Sequence, residues 1–133
     1  MTEASTYSRA PYLALGLLYV AFCISFIDRA AMSLALAQVG KDFNFQAAEL
    51  GIVLSAFYLG YAIMQLPGGW LADRFGSKYV VIGTITLWSI FTVATSFAWS
   101  LASLIAIRFV FGIAEGGFPS ASIKGVSELF TKR

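Results

Sequence analysis

Four ionisable residues stand in stretches otherwise too apolar to hold them: Asp28 and Arg29, then Arg108 and Glu115. An Arg or Asp at the centre of a membrane helix costs roughly 2.5 to 3.5 kcal/mol, so such residues persist where they face a cavity, a partner or a pathway. The two guanidinium groups keep their charge at any working pH and suit a carboxylate through paired hydrogen bonds. The two carboxylates can take up and release a proton. This set points to binding of an anion coupled to movement of a proton. The plainer alternative is a pair of buried ion pairs that only fix helix packing.

Spacing places these groups on helix faces. Arg108, Gly112, Glu115 and Pro119 recur at steps of four, three and four, which is one side of a helix. Arg108 and Glu115 are then roughly 10 Å apart along the axis and need not pair with each other. Ser25, Asp28, Arg29 and Ser33 form a comparable polar face. A third stripe holds Gly51, Ser55, Tyr58, Ala62 and Gln65, with Tyr61 beside it. The three are expected to line one cavity, although small residues packing between helices would leave the same pattern in the third. Gly112 and Gly116 form a G-x-x-x-G pair suited to close helix contact, and Pro119 suits a kink.

The elements that must carry these stripes are membrane spans. The chain has 133 residues, 59% of them hydrophobic and only 12% charged, well outside the usual soluble balance. Crossing the hydrocarbon core takes roughly 20 apolar residues with every backbone polar group satisfied internally. The charge-free runs give spans near 11–36, 48–67, 79–97 and 101–123, with the long run from Tyr79 to Ile107 split near Ser96 to Ser100. The expected organisation is a tail over 1–10, a membrane domain over 11–123 and a cytoplasmic loop over 124–133. The fold class is all-α, a polytopic membrane helix bundle. Reading the first span as a cleaved signal peptide is disfavoured, because its apolar region is too long and Asp28-Arg29 interrupts it.

Arg9, Arg74, Lys78, Lys124, Lys132 and Arg133 fall on one side of this arrangement and Lys41 alone on the other. Basic loops stay inside, so the N-terminus, the second connection and the C-terminal end are expected in the cytoplasm. A net charge of +2 with scattered basic residues gives no nucleic-acid patch. With no His and a single Cys23, neither a His-based metal site nor an intrachain disulfide is available, and no cofactor or metal is expected. Nor is there a nucleophile arrangement that suggests an enzyme.

The second connection reads Gly69-Trp70-Leu71-Ala72-Asp73-Arg74-Phe75-Gly76-Ser77-Lys78. It resembles the signature loop between helices 2 and 3 of the major facilitator superfamily, with Ser77 where a basic residue is common. The resemblance implies that Gly69, Asp73, Arg74, Gly76 and Lys78 serve the conformational switch. Together with Asp28-Arg29 and the series from Arg108 to Pro119, the chain is similar to the anion:cation symporter family. That resemblance implies four helices of the N-terminal six-helix half of a twelve-helix carrier working by alternating access. It implies a sugar acid such as a hexuronate, aldonate or glucarate as substrate, moved with protons. It further implies substrate contacts from Arg29 and Tyr61, to which Tyr58 is added from its stripe, and proton exchange at Asp28 and Glu115 with Arg108 tuning Glu115. Phe26 stands where many members have Tyr, which removes one possible sugar contact. The expected setting is a bacterial inner membrane, and the expected partners are a small organic anion, protons, lipid and the remaining helices of the full-length transporter. The chain is expected to be a truncated piece that does not transport alone. The alternatives are another major facilitator antiporter or exporter, or a small non-transporting membrane subunit.

Overall fold

The computed structural model describes residues 9–131; Lys132, Arg133 and all of the N-terminal tail before Arg9 lie outside the described residues. Four helices follow in order: α1 (Ala10–Phe43), α2 (Ala47–Phe75), α3 (Ser77–Thr95) and α4 (Leu101–Thr131). Each is long and apolar enough to cross a membrane. At about 1.5 Å per residue, all but α3 exceed the roughly 30 Å hydrocarbon core and extend past it.

Local chemistry sets each break. Asn44 ends α1 in the left-handed conformation (φ 56°), and the Phe45 N–H returns to the Gly40 carbonyl at 2.8 Å. A capping box starts α2, in which the Gln46 N–H donates to Glu49 Oε2 at 2.7 Å. Between α2 and α3 the only non-helical residue is Gly76, at φ +93°, where a side chain would be strained. The uncharged run from Tyr79 to Ile107 is interrupted at 96–100, where Ser100 and Ser103 exchange side chain to backbone hydrogen bonds and cap α4.

Two stretches differ from the sequence expectation. The signature segment Gly69 to Lys78 is not a loop: α2 runs through it to Phe75, and α3 begins at Ser77. Residues 124–131, expected as part of a loop, continue α4 to Thr131. That extension contains no helix breaker after Pro119 except Gly125, and Lys124 and Glu128 pair across one turn at 3.7 Å.

The hub is α4. Half of its apolar window is buried, against 6% for α1. Its contact with α2 is close because glycines remove the side chains between the two backbones. A Cβ added at Gly112 would lie 2.1 Å from the Phe57 carbonyl oxygen, and one at Gly116 would lie 2.5 Å from that of Tyr61. Two apolar clusters fill the rest: Met32, Leu36, Val53 and Leu104 toward the end holding the α1–α2 turn, and Phe57, Trp88 and Phe111 at mid-height.

Candidate functional site

The glycine seam brings the Phe57 and Tyr61 turn of α2 against α4, and α1 lies across both. Residues 28 and 29 are about 100° apart around α1, so they face different neighbours. The four intramembrane charges therefore form two groups on either side of α1.

Arg29 turns toward α2 and α4. Its Nε and Nη2 both reach Glu115 Oε1 at 3.1 Å, and Ser25 Oγ donates to the same oxygen. Glu115 is fully buried, and among the described residues its Oε2 has no hydrogen-bond partner. The Arg29 side chain keeps 23% exposure. Its guanidinium lies 4.7 Å from the Tyr61 ring centre and 5.4 Å from that of Phe26, within cation–π range. A guanidinium held at one edge by a buried acid, beside an aromatic wall and open to one side, can accept a second carboxylate.

Asp28 turns toward α3. Trp88 Nε1 donates to its Oδ2 at 2.7 Å. Asp28 also borders a space of about 170 Å³ that it shares with Thr92, Thr95, Arg108 and Phe111. Arg108 is buried there, with its guanidinium 4.2 Å from the Phe111 ring centre and 5.2 Å from that of Phe57. Arg108 makes no hydrogen bond to Glu115 among the described residues, but its guanidinium lies within charge range of both Glu115 and Asp28.

Tyr61 joins the Arg29 group and Tyr58 does not. Tyr58 is 56% exposed on an open face of α2 beside Ile52, Ser55 and Leu59. The rest of its stripe, Gly51, Ser55, Ala62 and Gln65, is exposed as well.

At the other end of the bundle, Lys124 of α4 pairs with Asp73 of α2 and lies 3.7 Å from Glu128, which accepts from Ser77 Oγ of α3 at 2.8 Å. Arg74 packs over Trp70 and Phe75, Gly69 approaches Ser120, and Lys78 borders a groove between α1, α3 and α4. Two partners do not stand out from sequence alone. Trp88 reads as one more apolar aromatic within a charge-free run. Lys124 reads as one more cytoplasmic charge, although its four-residue spacing from Glu128 is a visible signal.

Among known proteins, the model of the Major Facilitator Superfamily matches residues 18–133. The chain is 42% identical over 112 residues to the probable sulfoacetate transporter SauU of Cupriavidus necator, covering 84% of this chain and 26% of that protein. It is 40% identical over 119 residues to the probable galactarate/D-glucarate transporter GudP of Pseudomonas putida, covering 84% of this chain and 26% of the relative. It is 34% identical over 113 residues to the hexuronate transporter of Bacillus subtilis, covering 85% and 27%. The chain thus spans about a quarter of the length of the curated relatives it matches.

Proposed function

This chain belongs to the Major Facilitator Superfamily, and on that footing we propose that it forms the leading part of a proton-coupled carrier of small organic anions. It is an integral, multi-pass membrane protein. The substrates named for its relatives, sulfoacetate, glucarate and hexuronate, all carry a carboxylate, the group that a fixed guanidinium fork receives. The substrate class proposed is accordingly a sugar acid or similarly small carboxylate.

The observation that carries the reading is the shared Glu115 oxygen. Arg29 and Ser25 both hold Oε1 while buried Oε2 has no partner among the described residues. A proton on Oε2 removes the charge that holds Arg29 and frees its guanidinium for the incoming carboxylate beside Tyr61. Departure of the anion returns Arg29 to Glu115 and favours loss of the proton. Proton and anion then load together, which is the requirement of symport. Asp28 serves as a second proton site, and Arg108 is the fixed charge that tunes Glu115 from the Asp28 side. Gly69, Asp73, Arg74, Gly76 and Lys78, joined by Lys124, belong to the conformational switch at the cytoplasmic face of a bacterial inner membrane.

The full-length carrier in proteoliposomes tests this. An inward pH gradient is expected to accumulate labelled glucarate or hexuronate, and collapse of the gradient by a protonophore should abolish accumulation while sparing exchange. Gradient-independent accumulation would refute proton coupling.

A further inference from the structure

We propose that Trp88 is a positioning residue for Asp28, holding the carboxylate on the α3 side of α1, away from the Arg29 guanidinium and with its second oxygen free for proton exchange. The inference rests on the reading of Asp28 as a proton site.

Trp88 is 4% exposed. It packs with Phe57 and Phe111, and its ring centre lies 6.3 Å from that of Phe118, so the indole cannot swing without repacking the middle of the bundle. From that fixed place Nε1 donates to Asp28 Oδ2 at 2.7 Å. An indole N–H only donates, so it can satisfy a carboxylate oxygen but cannot take its proton. Proton exchange at Asp28 is left to Oδ1.

The surroundings supply a reason for such an anchor. The charged groups near Asp28 are Arg29 on its own helix and Arg108 and Glu115 on α4; α3 contributes the neutral Trp88, Thr92 and Thr95, and α2 contributes Tyr61 beyond Arg29. Without a donor on the α3 side, Asp28 could rotate to Arg29 and compete with both Glu115 and substrate for its guanidinium. Trp88, Thr92 and Thr95 follow one another at helical spacing. The two threonine hydroxyls donate to the Trp88 and Phe91 carbonyls at 2.9 Å, which leaves their lone pairs as acceptors beside the space that Asp28 and Arg108 share. At about 30 Å³ per water, that space has room for the waters that would deliver a proton to Oδ1.

The test measures the KM and maximal rate of anion exchange, together with gradient-driven accumulation, for the full-length carrier and for Trp88→Phe, Asp28→Asn and the double variant. A carboxylate released toward Arg29 competes with the anion for its guanidinium, so Trp88→Phe is expected to raise the exchange KM roughly three-fold or more, while saturating exchange stays within about two-fold. In the Asp28→Asn background, Trp88→Phe should change nothing further, since the two act through one bond. A Trp88→Phe KM equal to the parent's, or an equal rise in the Asp28→Asn background, overturns the proposal. Wild-type coupling in Asp28→Asn overturns it together with the proton-site reading of Asp28. If the Phe variant fails to fold, benzothienylalanine at position 88 preserves the indole shape without the N–H and serves the same comparison.

Discussion

At the scale of single residues, Arg29 acts as a planar guanidinium rather than as a point charge. Arg29 meets Glu115 with two nitrogens and leaves one side open beside Tyr61. Arg29→Lys keeps the charge and loses the fork, so anion affinity of the full-length carrier, measured by calorimetry, is expected to fall roughly ten-fold or more. Unchanged affinity would remove Arg29 from the substrate contact. Asp28, Arg29, Arg108 and Glu115 were legible in the sequence because a charge in an apolar run is conspicuous. Their division into two groups was not, because spacing fixes the face of a helix but not which neighbour that face meets. Trp88 was invisible for a related reason: an aromatic residue in a membrane span reads as packing until its N–H is seen to have a partner.

At the scale of elements, the decisive contact is the α2–α4 seam. The G-x-x-x-G pair indicated close approach of some helix, and the structure identifies it as the Phe57 to Tyr61 turn of α2. Gly112→Ala places a methyl against the Phe57 carbonyl and is expected to destabilise the full-length protein by about 1 to 3 kcal/mol, read as a lower Tm in detergent. Gly83→Ala is the control, because an added Cβ there meets nothing within 4 Å, and its Tm should not fall. Equal effects at both positions would dissociate the seam from stability. The helix ends were less legible than the spans. In the sequence the charges of residues 124–131 end the apolar run and suggest a loop, yet the pairing of Lys124 with Glu128 and Asp73 supports continued helix there.

At the scale of the whole molecule, the four helices are unevenly buried: α4 is a hub and α1 has most of its surface open. Tyr19, Leu34 and Leu66 are among the large apolar side chains exposed on the outside, suited to lipid or to further helices. The chain spans about a quarter of its relatives, so the 133 residues reconstituted alone are expected to give no anion uptake under a pH gradient. Uptake by this chain alone would show that the open faces need no further helices for function. The proposed switch residues belong to this scale too. Lys124 and Asp73 form an exposed pair worth less than about 1 kcal/mol, so Lys124→Ala should leave Tm nearly unchanged. The same variant can still alter the balance of inward-open and outward-open states by up to about five-fold, read by cysteine accessibility from either side.

The competition of Glu115 and the substrate carboxylate for one guanidinium is tested most directly by Glu115→Gln in the full-length carrier, with anion accumulation and anion exchange measured in the same proteoliposomes. A neutral amide leaves Arg29 free for substrate and has no proton to carry, so exchange should persist and gradient-driven accumulation should disappear. Accumulation at the parent level in Glu115→Gln would contradict the account.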